Sequence, residues 1–526
     1  MPMMMDAVQS QVIDFLSRPE SYGEGVSGVE KIETHISVVF LVGDRVLKLK
    51  RAITYPYVDF SSASLRRHFC EAEVTINRRT APQLYIGVRA VTRTENGGLE
   101  FDGEGEAVDW LVEMARFDQD TLFDRLAQGG KLNRALVGEL ADVIAHFHNG
   151  AEPRPGINFH DVLVRTVASD TAAFAKFGEG VFDEDKVATL VAMENQAIRG
   201  RCGDLTARRQ VAGKVRHCHG DLHLRNIFLQ DGHPVLFDAI EFNPLFSEID
   251  VLYDLAFLLM DLDHRGMRRL ANHVLNRYLD ITDDTAGLAC LPLYQCMRAA
   301  IRAHVGAAAC QAAPDDITRA EAQVYLNMTL DYLQPAPPRL IAIGGLSGSG
   351  KSRLSRDLAP FIGAAPGARI ARSDVLRKRL AGVDPLSKLG PQGYSSEMTA
   401  QTYRAVYDEA QTALRAGHSA IADAVFASPE ERRAIAAVAA DLNVPFQGIW
   451  LDAPGPVMSE RVNLRRGDAS DADDQIVARQ LAYDLGEIDW PRLDSSGTRD
   501  QTLASGLAIA DPQRQTEPFQ ITSTGQ

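Results

Sequence analysis

Leu340-Ile-Ala-Ile-Gly-Gly-Leu-Ser-Gly-Ser-Gly-Lys-Ser352 is a short apolar run that breaks into a glycine-rich turn. A run of this length suits a fully buried strand, and residues 353–361 after the turn read as a helix. Residues 345–352 complete the pattern G-x-x-x-x-G-K-[ST]. The spacing has a physical reason. Gly345, Gly348 and Gly350 let the backbone around Leu346, Ser347 and Ser349 curl its N–H groups about phosphate oxygens, and the helix N-terminus adds its dipole. Lys351 then reaches the β and γ phosphates of ATP, and the Ser352 hydroxyl binds Mg²⁺. A chance glycine turn would have no need of both flanking elements.

Working downstream, Ala371-Arg-Ser-Asp-Val-Leu-Arg-Lys-Arg-Leu380 ends a strand at Asp374 and opens a helix carrying Arg377. Ser419-Ala-Ile-Ala-Asp-Ala-Val-Phe426 is a second strand ending in an acid, Asp423. Several arginines, Arg461 and Arg465 among them, then precede Asp468-Ala-Ser-Asp-Ala472. Over residues 340–500 this order resembles the small-molecule and polynucleotide kinase branch of P-loop proteins, with the D-A-S-D-A stretch as its lid. The resemblance implies an α/β domain with a parallel five-stranded sheet. It also implies Asp374 as the base that deprotonates an acceptor hydroxyl and Arg377 as the residue that holds the acceptor. Arg461 and Arg465 would neutralise charge on the transferring phosphoryl group, and Asp423 would stand near Mg²⁺ or its waters. Two alternatives stay open. Asp374 can be read as a helix N-cap, and Arg466 competes with Arg465, one of them ending in a surface ion pair.

Upstream, Gln334-Pro-Ala-Pro-Pro-Arg339 can neither continue a helix nor join a central strand, so 335–339 reads as a stiff linker. It divides the chain into domains at 1–334 and 340–515, with 516–526 as a flexible tail. In the first part, residues 30–50 alternate like strands and turn at Gly43-Asp44. Helical spacing follows at 62–79, 132–148, 161–176, 185–199, 248–280 and 291–333. A small sheet followed by many helices is an α+β, two-lobed pattern.

His219-Gly-Asp-Leu-His-Leu-Arg-Asn226 and, twelve residues on, Asp238 lie between apolar runs. They resemble the catalytic loop and metal-binding Asp of aminoglycoside phosphotransferases and choline-type kinases, within the protein-kinase-like fold. Asp221 would take the proton of an attacking hydroxyl, while Asn226 and Asp238 would hold Mg²⁺ on the ATP phosphates. Such a site needs a strand Lys and a helix Glu. Lys48 and Glu73 are the choices; Lys50 shares the strand face of Lys48, and Glu71 is the alternative to Glu73. Gly23-Glu-Gly-Val-Ser-Gly28 matches a nucleotide-covering pattern but reads as an entry segment, with Thr34–Ser37 as the covering loop. Asp250 and Asp254 read as structural acids.

With 526 residues, 45% hydrophobic and 24% charged, the chain is a folded protein of two or three domains. There are 35 basic residues against 47 acidic ones before residue 340, and 20 against 23 from there on. A net charge of −15 makes nucleic acid an unfavoured partner. The six cysteines show no C-x-x-C pair and read as free thiols, and His217-Cys218-His219 as a structural or catalytic-loop stretch rather than a metal site. With no apolar leader and no stretch long enough to span a bilayer, a cytoplasmic protein without membrane contact is expected. The sum is a bifunctional ATP- and Mg²⁺-dependent kinase whose halves each phosphorylate a hydroxyl of a small molecule, with its oligomeric state open. Two competing readings are a nucleotide-binding half that gates its neighbour and a P-loop half that phosphorylates polynucleotide 5′-hydroxyls.

Overall fold

Ser37–Val42 and Arg45–Lys50 form a hairpin because the first run is apolar, the second brings Val46, Leu47 and Leu49 against it, and Gly43 takes the left-handed φ of 56° that the tight turn needs. The hairpin seeds a six-stranded antiparallel sheet in the order Glu30–Glu33, Ser37–Val42, Arg45–Lys50, Ala107–Ala115, Tyr85–Arg93, Leu99–Phe101. One face buries Val38, Phe40, Leu47, Leu49 and Leu111 with Val12 and Leu16 of the helix Ala7–Leu16. The other receives the helix Ala63–Asn77, whose N-terminus is capped by the Ser62 hydroxyl accepting from Leu65 N.

The computed structural model describes residues 7–55, 57–464 and 469–511. They form two compact units, one running to Phe159 and resuming at Gln210–Leu258, the other comprising His160–Arg209 and the chain from Leu259 onward. In the first unit, Val215–His217 pairs antiparallel with Glu248–Asp250, and Ile227–Gln230 pairs with His233–Leu236 across the turn at Asp231 and Gly232. The loop from Cys218 to Asn226 hangs between these two ladders.

In the second unit Leu340–Gly344 is buried at every position, and it lies at the centre of a five-stranded, all-parallel sheet. The order is Arg369–Arg372, Ala420–Asp423, Leu340–Gly344, Phe446–Asp452, Arg492–Asp494. Continuous apolar runs are what a sheet covered on both faces requires. Ile341, Ile343, Ile421, Ile449 and Leu451 bury against Leu354 and Leu358 of Lys351–Leu358 and Leu503 and Leu507 of Arg499–Ala510. The fold is therefore an α+β, two-lobed, protein-kinase-like region followed by an α/β P-loop domain.

Three expectations change. The helix expected over 248–280 is a short strand, a helix Val251–His264 and a helix Arg268–Thr282, parted at Gly266 with φ 72°. The helical run 291–333 is split into Leu291–Ala312 and Asp316–Leu333, since Pro314 cannot continue the first and Asp315 caps the second. Cys202 and Cys290 are joined as a disulfide, with their Cα atoms 5.0 Å apart. They lie 88 residues apart in the chain, so no local spacing could have revealed them. Cys70, Cys218, Cys296 and Cys310 are free, as expected of them, and buried.

Candidate active sites

In the first unit Lys48 and Lys50 point to one side of their strand, as a period of two demands. Both reach Glu73. Lys48 Nζ donates to Glu73 Oε1 at 2.8 Å and Lys50 Nζ to Glu73 Oε2 at 2.6 Å. They part company beyond it. Lys48 also bonds Asp238 Oδ1 at 2.7 Å, whereas Lys50 is buried and pairs with Glu241. Burial pushes the Glu73 carboxyl up, but the two ammonium groups outweigh it and hold the carboxyl below its usual range. Glu71 pairs with Arg67 on the exposed side of the helix, away from the lysines.

Asp238 sits at φ 61°, a sparsely populated conformation for a non-glycine residue. Its N–H donates to the Tyr85 hydroxyl at 3.1 Å and its carboxylate is 44% exposed. Asn226 is brought beside it because Phe237 N donates to Asn226 O at 3.0 Å. Asn226 Nδ2 donates to both the carbonyl and Oδ2 of Asp221 at 2.9 Å. With its nitrogen so used, the amide oxygen faces the other way as a free acceptor. Asn226 Oδ1 and the Asp238 carboxylate are hard oxygen donors on segments joined by that backbone bond, a donor set that suits Mg²⁺.

The loop is braced from behind. Asp254, wholly buried, accepts from His219 N and Gly220 N at 2.9 Å and meets His148 Nε2 at 3.1 Å. His148, Cys218 and Asp254 have metal-ligand atoms within 4.8 Å of one another. Both Asp254 oxygens are already taken up by the loop amides and the His148 contact, so the trio reads as a brace. Gly220, at φ 86°, could not be replaced: a Cβ there would lie 2.6 Å from Phe246 O.

In the second unit the glycines do what their positions ask. Gly345, Gly348 and Gly350 have φ of 137°, 83° and 99°, and a Cβ on Gly348 would lie 2.4 Å from Met458 O. A cavity of about 420 Å³ opens beside them. Ser347, Gly348, Gly350, Lys351, Ser352, Asp374, Asp423 and Arg461 line it together. Gly345, Leu346 and Ser349 are behind the wall. Lys351 Nζ donates to Leu346 O at 3.0 Å. Arg461 donates to Ser495 O at 2.7 Å. Asp374 lies in the first turn of Ser373–Leu380 and makes no capping bond. Arg377 turns away, donating to Gly393 O at 2.9 Å with its guanidinium 5.0 Å over the Tyr394 ring. Arg465 and Arg466 lie outside the described residues, as does the tail 516–526.

Asp423 is the buried acid of this cavity. Burial pushes its carboxyl up, against the pull of Arg372, Lys351 and a bond from the Ser352 hydroxyl. Its Oδ2 is buried with no hydrogen-bond partner, and Arg372 Nε lies 3.8 Å away. A buried carboxylate oxygen lacking a donor is what a Mg²⁺ ion or its water would satisfy. Arg372 also comes within 3.7 Å of Asp374, and so stands between the two acids.

Sequence reasoning missed Lys50's buried pairing, Glu241, Tyr85, Arg372 and Gln480, which accepts from Ser347 N at 2.7 Å. Glu241 carried a signal in standing three residues after Asp238; the others are dispersed in the chain. Each half thus gathers a lysine for phosphate oxygens and carboxyl or amide oxygens for Mg²⁺, and the chain is an ATP-dependent kinase in its construction. Among the described residues no helix is long and apolar enough to cross a membrane.

A family model described as "AAA domain" matches residues 340–484. Among solved structures, a choline/ethanolamine kinase family protein from Mesorhizobium loti is 11% identical with a TM-score of 0.38, covering 62% of this chain and 95% of that one. A gluconokinase from Sinorhizobium meliloti 1021 is 19% identical with a TM-score of 0.25, covering 34% of this chain and 98% of that one. Two whole-chain relatives are the uncharacterized protein Rv2004c of Mycobacterium tuberculosis H37Rv and the uncharacterized protein Mb2027c of Mycobacterium bovis. Each is 30% identical over 492 residues, 91% of this chain and 94% of the relative. Identity sustained across both halves and the segment between them means that the protein belongs to the family of these mycobacterial proteins.

Proposed function

We propose that the protein is a bifunctional phosphotransferase, each half moving the γ-phosphoryl group of Mg-ATP to a hydroxyl of a small molecule. The observation that carries the reading is the joined arrangement Glu73–Lys48–Asp238 beside Asp221–Asn226, with no link of the expected set missing. Functionally the chain divides at residues 335–339, into 1–334 and 340–515.

In the first half Lys48, held by Glu73, steadies the phosphates, and Asn226 and Asp238 hold the metal. The Asp221 carboxylate takes the acceptor proton as the new O–P bond forms and the bond to the ADP oxygen breaks. The tie from Asn226 orients that carboxylate. In the second half the loop amides and Lys351 bind the phosphates, and Ser352 and Asp423 hold the metal. Asp374 deprotonates the acceptor, Arg461 stabilises charge on the phosphoryl group, and Arg377 shapes the acceptor side. Mg²⁺, when bound, draws charge from the phosphate oxygens in both sites.

The test is ATP consumption over a panel of hydroxylated metabolites by the full chain and by Asp221→Ala and Lys351→Ala variants. Each substitution should abolish one activity, a loss of about 10³-fold or more, and spare the other. If Asp221→Ala leaves every activity intact, the two-kinase reading fails.

A further inference from the structure

Residues 469–481 touch both ends of the P-loop site. At one end Asp471 Oδ1 accepts from Lys378 Nζ at 2.9 Å, and Oδ2 accepts from the Tyr394 hydroxyl at 2.7 Å and from Leu389 N at 3.0 Å. Lys378 is 1% exposed and Asp471 9%, so this is no surface pair. Lys378 follows Arg377 on the helix that begins beside Asp374, and Tyr394 is the ring beneath Arg377. Asp471 thus grips the acceptor side at three points. At the other end Asp473 caps the helix Asp474–Leu481, and Gln480 of that helix accepts from the Ser347 amide. Ser347 is a cavity-lining residue of the phosphate loop.

We propose that residues 469–481 are a strap through which nucleotide in the P-loop releases the acceptor side, with Asp471 as its positioning residue. The proposal rests on reading the P-loop cavity as the nucleotide site. The chemistry is a competition. A phosphate oxygen is a charged acceptor and outbids the neutral Gln480 amide for the Ser347 N–H. Filling the loop therefore removes the strap's anchor at Gln480. The capped helix carries that loss to Asp471, whose grip on Leu389, Tyr394 and Lys378 loosens, and the buried Arg377 becomes accessible to an acceptor at Asp374. Acceptor binding then follows nucleotide binding.

The Leu389 amide reports directly on the Asp471 contact, so hydrogen exchange of 386–395 in the full chain, with and without saturating Mg-ADP, is the experiment. In the wild type Mg-ADP should speed exchange of that segment about tenfold, the size expected for loss of one charge-assisted bond. Asp471→Asn, which loses the charge, should exchange at the fast rate from the start and show little further response, and by calorimetry it should bind Mg-ADP about tenfold more tightly than the wild type, because the coupling is reciprocal. If Asp471→Asn fails to fold, Tyr394→Phe, which removes one of the three donors, should give an intermediate rate and a reduced response. Wild-type exchange indifferent to bound Mg-ADP overturns the strap and leaves the nucleotide site standing. Absence of Mg-ADP binding that depends on Lys351 overturns both.

Discussion

Glu73 serves two lysines, and what each does beyond it separates their roles. Lys48 reaches the exposed Asp238, where phosphates are handled, so Lys48→Met should cut the first activity by about 10²-fold or more while altering the melting temperature little. Lys50 is buried between Glu73 and Glu241. Lys50→Met takes from buried Glu241 its paired cation and leaves Glu73 with Lys48 alone, and should cost about 3–5 kcal/mol of stability. Denaturant unfolding beside initial rates tells the two apart, and equal losses of stability would refute the assignment. A second buried acid gives a pH signature. Burial, then Asp170, push Glu194 up to about 8. Its folded-state pKa exceeds the unfolded value, so the stability it lends is full below about pH 4.5 and is lost as pH rises through about 8. Thermal midpoints should fall across that window, with a slope near 1.4 kcal/mol per pH unit for one proton. Glu194→Gln should flatten that slope; an unchanged profile would mean that Glu194 is ionised throughout.

At the scale of elements, what was legible was what local chemistry specifies. The strand–loop–helix at 340–358 and the 219–226 loop depend on glycines and acids at fixed spacing, and they could be placed to the residue. The strands Tyr85–Arg93 and Ala107–Ala115 went unread because they alternate weakly and carry charges at Arg89, Asp109 and Glu113, which find partners only in the fold. The choice between Lys48 and Lys50 was undecidable from periodicity for a like reason: the deciding partner, Asp238, is 190 residues away. The same non-local logic governs the sheet edge at Arg369–Arg372. Instead of another strand, the helix Arg268–Thr282 covers it. Asn276 Oδ1 accepts from Ile370 N at 2.8 Å, and its Nδ2 donates to Ala368 O at 3.1 Å, so one amide side chain imitates a neighbouring strand. Asn276→Ala should leave the buried Ile370 N–H unpaired, while Ala368 O keeps its bond from Asn272 Nδ2, and should cost about 1–3 kcal/mol. Asn276→Asp restores an acceptor for Ile370 N, so it should cost less than the alanine. Chemical denaturation followed at Trp450 and Trp490, which lie in or against that sheet, reads the difference.

For the whole molecule, the proline segment marks where the two nucleotide motifs part, but the second compact unit reaches back past it. Arg369 shows the consequence. It is 1% exposed and pairs with Asp280 at 2.7 Å and Glu409 at 2.8 Å, while Glu409 also accepts from the Thr285 hydroxyl. Asp280, Asn276 and Thr285 all precede the proline segment. A fragment beginning at residue 340 therefore loses two of these partners of Arg369 and every cover of the strand edge, exposing unpaired amides that invite association with other chains. Expressed alone, residues 340–526 should be recovered largely as aggregate, or melt well below the P-loop unit of the full chain. A fragment beginning at 259, which keeps the helix Arg268–Thr282 and the turn Thr285–Cys290, should be soluble and keep Mg-ADP binding. Size-exclusion chromatography with calorimetry on both fragments decides the matter. A monomeric 340–526 fragment with the stability of the longer one would show that the helical cover is dispensable, and that the proline segment is a structural boundary as well as a functional one.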